Sequence, residues 1–276
     1  MKALVFLLVI QQMSSFLIPK EENIAMKNQC LQPPTIDYFN KFKSIGGRQV
    51  LGNEFPCGVQ ISRRHILTAA HCVIKFDSNE YKKVCETQDY YEKRDLLSLD
   101  NFYIYVGSRC NHPVMCQYAY SPQKIHTHKQ WGKCDGSLDL AIVELDGDAD
   151  PHETHPICMP SKDTPLSKFL RAAGIGLDTT SPFGLYSRGL QVISVALNTT
   201  KSNDDLIRTW SSTASLCSGD SGGPLFQHNS AGKDVLMGIA STATRCELRL
   251  LTRRSYFVDV RNQLEWICEV TGVCSL

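Results

Sequence analysis

Residues 217–225 read CSGDSGGPL, so that Ser221 follows an aspartate and precedes two glycines. A cysteine opens the stretch and a proline closes it, which makes the pattern far more specific than a lone Gly-x-Ser-x-Gly. A tight glycine-rich turn lets the backbone N–H groups of Gly219 and Ser221 point to one place, where they can stabilise an oxyanion. The stretch therefore predicts a serine nucleophile rather than an ordinary turn.

A second stretch, LTAAHC at residues 67–72, is an apolar strand that ends in His71. A histidine at the end of a strand is by itself more often structural than catalytic. A serine hydroxyl, however, is a poor nucleophile unless a neighbouring base takes its proton. With the serine stretch downstream, His71 is predicted to be that base.

The third stretch, SLDLAIV at residues 137–143, places Asp139 at the start of an apolar strand. Burying a carboxylate is costly unless it is hydrogen-bonded or paired. Holding the far nitrogen of His71 would satisfy this requirement. The alternative is a capping aspartate at the protein surface.

The composition excludes some classes of function. The chain has 276 residues with 29 basic and 28 acidic side chains, and its net charge of +1 gives no field for a polyanion, so nucleic acid is not expected as a ligand. The length is ample for two β-barrels of about a hundred residues each.

The N-terminus predicts a signal peptide over residues 1–18. Met1 and Lys2 precede an apolar run over residues 3–10, after which two glutamines interrupt it. A membrane anchor needs roughly 20 apolar residues, so no membrane association is expected. We expect a secreted, extracellular protein in which the 12 cysteines form disulfides.

The remainder of the chain shows an all-β pattern. Residues 19–43 are polar without usable periodicity and are interpreted as a propeptide or an extended leader. Beyond them, short runs rich in β-branched and aromatic residues recur between turn residues. These runs cover residues 58–61, 66–69, 102–106, 140–145, 191–197, 235–241 and 256–260. Only the end has helical spacing, with apolar residues at Val260, Leu264, Ile267 and Val270.

The three stretches, their order His71, Asp139, Ser221, and the closing helix resemble the chymotrypsin/trypsin family over about residues 44–270. The ending Trp266-Ile267-Cys268 with Cys274 is similar to divergent secreted members of nematode type. The resemblance implies two antiparallel six-stranded β-barrels in a peptidase domain over residues 44–276. Barrel 1 would cover residues 44–159, barrel 2 residues 160–257 and a C-terminal α-helix residues 258–270, with the active site in the cleft between the barrels.

The resemblance also implies activation by proteolysis. The family pairs the residue before the nucleophile, here Asp220, with a new α-amino group. The matching cleavage falls after Lys43 and makes Ser44 the new terminus. Ser44 departs from the family, which has a buried aliphatic side chain there.

The specificity pocket is implied in the same way. Its floor would be Ser215, and a neutral floor argues against Lys or Arg substrates. Ala243 and Ser255 would form narrowed walls suited to small or medium apolar side chains. Ser241 matches the serine that supports the catalytic aspartate, and Thr242 replaces a customary tryptophan.

The family's cysteine positions imply disulfides between Cys57 and Cys72 and between Cys217 and Cys246, while Cys30 with Cys158 would tether the leader. Six further cysteines allow fifteen pairings, of which Cys268 with Cys274 is locally attractive. These six are Cys85, Cys110, Cys116, Cys134, Cys268 and Cys274.

Two further patterns concern modification and metals. Asn198 begins the sequon Asn-Thr-Thr and is predicted to be glycosylated, unless the sequon is unmodified. No Cys-x-x-Cys or His-x-x-x-His spacing surrounds His126 and His128, so neither a metal nor another cofactor is expected.

The chain departs from the family at two places. Only nine residues separate Gly47 from Cys57, so barrel 1 is predicted to lack its opening strand, which would leave an open edge. The polar stretch over residues 76–99, between His71 and Asp139, is by contrast an insertion relative to the family.

Three functions were weighed. The first is a secreted serine endopeptidase, made as a zymogen, that acts as a monomer on protein or peptide substrates and meets protease inhibitors and an activating protease. The second is a catalytically inactive homologue that acts as a binding or regulatory module. A lipase or esterase is rejected because that fold orders its triad Ser, Asp, His.

Overall fold

The computed structural model describes residues 17–32, 47–48, 58–106, 119–152, 155–177, 190–198, 205–244, 246 and 252–275. The predictions for Lys43, Ser44, Cys57, Cys110 and Cys116 concern positions outside the described residues.

Within these ranges the chain forms β-strands and three α-helices. The strands are β1 (Gly47–Arg48), β2 (Val59–Gln60), β3 (His65–Thr68), β4 (Phe102–Tyr103), β5 (Pro122–Thr127), β6 (Ala141–Leu145), β7 (Phe169–Gly174), β8 (Gln191–Leu197), β9 (Leu206–Ser211), β10 (Pro224–His228), β11 (Asp234–Ala243) and β12 (Arg253–Asp259). The helices are α1 (Lys20–Leu31), α2 (Ser78–Cys85) and α3 (Leu264–Thr271).

The second half of the chain is a closed antiparallel barrel with strand order β10-β11-β12-β9-β8-β7. Closure pairs every strand on both sides and so removes exposed edges. Large apolar side chains fill the barrel, among them Leu170, Leu225, Met237 and Phe257, each at most 1% exposed. This half is the six-stranded barrel that the sequence predicted.

The first half contributes a four-stranded antiparallel sheet of order β2-β3-β6-β5, and a separate two-stranded ladder of β1 with β4. The strands β3 and β6 are buried along their whole length. Among the described residues, no strand pairs with the outer edge of the two-residue strand β2. The all-β fold class with a C-terminal helix is confirmed.

Helix α3 closes the chain against this core. Leu264, Trp266 and Ile267 are buried in it, and Gly272 ends the helix in the left-handed conformation at φ 78°. The helix begins later than predicted because residues 260–262 form a 3₁₀ turn. In this turn the Arg261 N–H donates a hydrogen bond to the Asp259 side chain.

Helix α1 differs from the extended leader that the sequence suggested. Its apolar residues form no clear face, so tertiary contacts hold it in place rather than amphipathic packing. Cys30 is disulfide-bonded to Cys158, and Glu22 accepts two hydrogen bonds from the Arg63 guanidinium at 3.1 and 3.0 Å. The Asn23 amide donates to the Cys274 carbonyl at 3.1 Å.

The residue before the helix, Ile18, is 9% exposed and donates its backbone N–H to the Thr271 carbonyl at 2.8 Å. Ile18 was placed inside the predicted signal peptide, whose first 16 residues lie outside the described part of the chain. No helix in the described part is both long enough and apolar enough to cross a bilayer.

Candidate active site

The register of β3 on β6 brings His71 next to Asp139. Thr68 at the end of β3 pairs with Ala141 at the start of β6. His71 follows Thr68 by three residues in a 3₁₀ turn, and Asp139 precedes Ala141 by two. Antiparallel pairing therefore places the two side chains side by side.

Asp139 is 3% exposed and accepts three hydrogen bonds. The His71 backbone N–H donates to Oδ1 at 2.9 Å, and His71 Nδ1 lies 2.6 Å from Oδ2. The Ser241 hydroxyl donates to Oδ2 at 2.7 Å. The buried carboxylate is thus satisfied, and it fixes the imidazole with its Nε2 pointing away.

The two groups shift each other's pKa. Burial lowers the pKa of His71, but the Asp139 carboxylate and then the Cys72 sulfur outweigh it, so the pKa is raised well above 6.5. Burial raises the pKa of Asp139, but the His71 charge and the hydrogen bonds from His71 and Ser241 leave it lowered. The ionised Asp139 thus stabilises the imidazolium that forms when His71 accepts a proton.

The turn before β10 presents Ser221. Gly219 and Gly222 have φ angles of 95° and 81°, a conformation that favours glycine. Hydrogen bonds from Asp220 N–H to the Cys217 carbonyl and from Gly223 N–H to the Asp220 carbonyl, both 3.1 Å, tighten the turn. The Ser221 N–H has no hydrogen-bond partner among the described residues.

Ser221 and Ser241 line one cavity of about 690 Å³. Since the Ser241 hydroxyl also binds Asp139, the serine turn and the His71–Asp139 pair meet at Ser241. The first sheet thus supplies the His71–Asp139 pair, and Ser241 links this pair to the cavity that Ser221 lines; His71 and Asp139 are not part of the cavity lining.

Asp220 lines the cavity but is only 9% exposed. Its carboxylate accepts hydrogen bonds from the Gly176 N–H and the Cys217 N–H, each 2.8 Å long. Burial raises the pKa of Asp220, and the two N–H donors oppose that effect. A Cβ added at Gly174 would lie 1.9 Å from Asp220 Oδ1, and one at Gly176 would lie 2.8 Å from it. Sequence analysis missed these two glycines, although the Gly-Ile-Gly spacing at the end of a strand is typical of close backbone approach.

The cavity walls differ in part from the predicted specificity pocket. Ala243 lines the cavity, whereas Ser215 and Ser255 do not. The Ser215 hydroxyl donates to the Leu216 carbonyl at 2.9 Å, and Ser255 is 3% exposed inside the barrel wall. The cavity is lined by Ser78, Lys82, Leu216, Cys217, Ser218, Asp220, Ser221, Ala240, Ser241, Thr242, Ala243, Thr244 and Cys246.

One strand edge opens on this cavity. Strand β11 pairs with β10 only as far as Ile239 with Pro224, and its other side continues to pair with β12 through Ala243. Among the described residues, no strand covers residues 241–243 on the side that β10 leaves. An extended chain can therefore pair there.

The disulfides include two of the expected pairs. Cys30 pairs with Cys158 and Cys217 with Cys246. The expected partner of Cys72, Cys57, lies outside the described residues, and within them Cys72 is buried and has no disulfide partner. Two of the open pairings are Cys85–Cys134 and Cys268–Cys274.

Sequence analysis also missed helix α2, which lies in the polar insertion. Its signal was the pattern Asp77-x-x-Glu80, because the Asp77 side chain caps the helix by accepting from the N–H groups of Asn79 and Glu80 at 2.8 and 3.0 Å. Phe76, just before the helix, packs on His71 with ring centroids 5.4 Å apart. The insertion is therefore a wall of the site.

The two histidines considered as metal ligands have other contacts. His128 packs edge-on against Trp266 with centroids 4.9 Å apart, and burial lowers the pKa of His128. His126 Nε2 lies 3.7 Å from Glu144 Oε2. Among the described residues, no group of three His, Cys, Asp or Glu side chains is placed to hold a metal ion.

The sequon asparagine, Asn198, follows β8 directly and is half-buried. Its backbone N–H donates to the Arg208 carbonyl at 2.8 Å. Its glycosylation stays a prediction.

Comparison with known proteins agrees with this geometry. The family described as Trypsin matches residues 40–267. The human atrial natriuretic peptide-converting enzyme is 26% identical over 74% of this chain, and Drosophila melanogaster serine protease 7 is 25% identical over 78%. The match spans only 19% and 57% of the length of these two relatives. Glucanase inhibitor protein 1 of Phytophthora sojae is 26% identical over 79% of each chain. Because the family model matches most of this chain, the chain belongs to the chymotrypsin/trypsin-like serine proteases.

Proposed function

We propose that the protein is a secreted serine endopeptidase that hydrolyses peptide bonds through an acyl-enzyme. The observation that carries this proposal is the buried Asp139, which holds His71 by two hydrogen bonds and is tied through Ser241 to the cavity of Ser221. A buried carboxylate that orients a histidine beside a serine is what this chemistry needs.

The reaction runs in two halves. Ser221 Oγ attacks the scissile carbonyl while His71 Nε2 takes its proton, and His71 then gives that proton to the leaving amine. Water, activated by the same histidine, hydrolyses the acyl-enzyme. Asp139 stabilises the imidazolium in each half, and the N–H groups of Gly219 and Ser221 stabilise the oxyanion.

The substrate is a protein or peptide in an extended conformation. Residues 241–243 offer a strand edge beside Ser221, and main-chain pairing there would hold the chain without regard to its sequence. Apolar groups of Leu216, Ala240 and Ala243 face the same cavity.

We infer a preference for small or medium apolar side chains over Lys and Arg. Asp220 is the one acidic side chain among the described residues that line the cavity. Its carboxylate already accepts hydrogen bonds from two backbone N–H groups. No carboxylate in this lining is thus available to a basic side chain.

The protein is made as a zymogen in this proposal. An activating protease would cut after Lys43, and the new amino group of Ser44 would pair with Asp220. Protease inhibitors are the expected regulators of the active form, which we take to be a monomer without a cofactor.

A second candidate is an inactive homologue that works by binding. Two observations favour it: a relative is named as a glucanase inhibitor, and the outer edge of β2 has no partner strand in the described part of the chain. The hydrogen bonds that hold His71 on the buried Asp139 support the enzyme instead.

The test is hydrolysis of peptides by secreted protein that has been cleaved after Lys43. Peptides with Ala or Val before the scissile bond should be cut faster than matched peptides with Arg, and the Ser221→Ala variant should cut none. Equal rates for the wild type and the Ser221→Ala variant would refute the proposed activity. Faster cleavage after Arg than after Ala or Val would refute the proposed specificity.

A further inference from the structure

We propose that helix α2 forms a charged wall of the substrate cleft, on which Lys82 selects acidic side chains that lie N-terminal to the scissile bond. This inference rests on the proposed function and names the substrate class of the same site.

The position of Lys82 is the first step. Lys82 and Ser78 line the same cavity as Ser221, although the insertion that carries them lies more than a hundred residues away in sequence. They are four residues apart on α2 and so share one face of the helix. This face is turned to the cleft.

The helix is fixed rather than loosely attached. The Asp77 side chain caps its start, and Cys85 at its end is disulfide-bonded to Cys134, in the loop that leads to Asp139. The Tyr81 hydroxyl donates to the Lys133 carbonyl at 3.1 Å, and its ring packs on Phe76 with centroids 5.4 Å apart. A substrate side chain would thus meet Lys82 at a defined place.

The charge of Lys82 is available to a ligand. Lys82 is exposed, and its ammonium has no hydrogen-bond or ion-pair partner among the described residues. The acidic residue of the helix, Glu80, is instead paired with Lys93 at 2.6 Å. Asp220, the other charged residue of the cavity lining, is buried and accepts a hydrogen bond from the Gly176 N–H. Among the described residues that line the cleft, Lys82 is therefore the one positive charge, and it has no ion-pair partner there.

The direction of the substrate chain decides which residues meet this charge. A peptide that pairs antiparallel with residues 241–243 runs toward its own N-terminus as β11 runs toward Ala243. Its scissile carbonyl lies at Ser221, next to Ser241. Residues before the scissile bond then lie between Thr242 or Ala243 and the α2 face. An acidic side chain there would face Lys82, while a basic one would be repelled.

The experiment compares peptides that carry Glu, Gln or Lys at the second to fourth positions before an Ala at the scissile bond. Binding is measured by fluorescence anisotropy on the cleaved Ser221→Ala protein, and kcat/KM is measured on the cleaved wild type. Glu peptides should bind about 2- to 5-fold more tightly than Gln peptides, the size expected of an exposed ion pair. Raising the salt to 1 M should remove most of this preference.

Two variants separate the proposed contact from general charge effects. Lys82→Glu should reverse the order so that Lys peptides bind best. The matched control Lys83→Glu changes an exposed neighbour on the same helix that does not line the cavity, and it should leave the Glu preference intact. An unchanged preference in Lys82→Glu, equal binding of Glu and Gln peptides, or reversal by Lys83→Glu would overturn the inference.

The two readouts keep the two proposals apart. Tight binding of Glu peptides by the Ser221→Ala protein, with no hydrolysis by the wild type, would reject the endopeptidase and retain the acidic subsite. Hydrolysis at the same rate for Glu, Gln and Lys peptides would retain the endopeptidase and reject the acidic subsite.

Discussion

At the scale of single residues, the site depends on Asp139. It is buried, and its three hydrogen bonds come from two different parts of the chain, His71 and Ser241. Leaving a buried carboxylate without its hydrogen-bond donors would lower the stability of the fold. The need to satisfy Asp139 therefore holds His71 and Ser241 in place around it. The consequence is an imidazole held in one orientation before any substrate arrives.

Replacing Asp139 with Asn tests the electrostatic part of this arrangement. The Asp139 carboxylate raises the pKa of His71 against the effect of burial, so removing it should lower that pKa. The midpoint of the His71 titration, followed by NMR, should therefore move from above 6.5 in the wild type to a lower pH in the variant. The hydrolysis rate should fall on the order of 10⁴-fold, as in the serine protease template. An unmoved midpoint would show that Asp139 does not set the His71 charge.

Gly174→Ala tests the space around Asp220. The new Cβ would lie 1.9 Å from Asp220 Oδ1, so the carboxylate must move and weaken its bonds to the Gly176 and Cys217 N–H groups. We expect a loss of about 1 to 3 kcal/mol in the free energy of unfolding, measured with urea, as for overpacked cores. Wild-type stability in this variant would contradict the tight fit.

At the scale of elements, sequence periodicity predicts the buried strands well. Strands β3 and β6 read as apolar runs because both are buried throughout, and β8 has the predicted bounds Gln191–Leu197. The strands β1, β5, β7, β9 and β10 were missed. In β9, Arg208 and Thr209 interrupt the apolar residues.

The two missed helices have a different cause. Helix α1 buries only Asn23, and α2 buries no residue fully, although Tyr81, Val84 and Cys85 pack against the core as a short apolar face within a polar insertion. Disulfides and polar contacts made far along the chain hold both. The Asp220 environment was likewise out of reach, since it depends on a strand 44 residues upstream.

The disulfide of α2 should contribute strongly to stability. Cys85 and Cys134 are 49 residues apart, whereas Cys268 and Cys274 are separated by 6. The loss of loop-closure entropy predicts that replacing the first pair with serines costs about 4 kcal/mol and the second about 2 kcal/mol. Urea unfolding of the two double variants checks the order, and a larger loss for the Cys268–Cys274 pair would contradict it.

At the scale of the whole molecule, helix α1 links distant parts of the chain. Glu22 binds Arg63 in the turn before β3, and Asn23 binds Cys274 beyond α3. Cys30 is bonded to Cys158, and its carbonyl accepts from the Asn229 side chain in the barrel at 3.0 Å. These contacts span both β halves.

This linkage predicts that the leader stays attached after activation. Following cleavage at Lys43, the protein should run as one band on a denaturing gel without reductant and as two with it, because the Cys30–Cys158 bond joins the fragments. The Cys30→Ser variant should give two bands in both lanes. Separation of the wild-type fragments without reductant would argue against the bond.

The central claim is that Ser221 is a nucleophile activated by His71. The most direct measurement is labelling of the secreted protein by a fluorophosphonate, before and after cleavage at Lys43, with the modified residue located by mass spectrometry. The account predicts that Ser221 is labelled after cleavage and that Ser221→Ala and His71→Ala abolish labelling. A folded, cleaved protein that takes no label would contradict it and leave the binding homologue as the function of this chain.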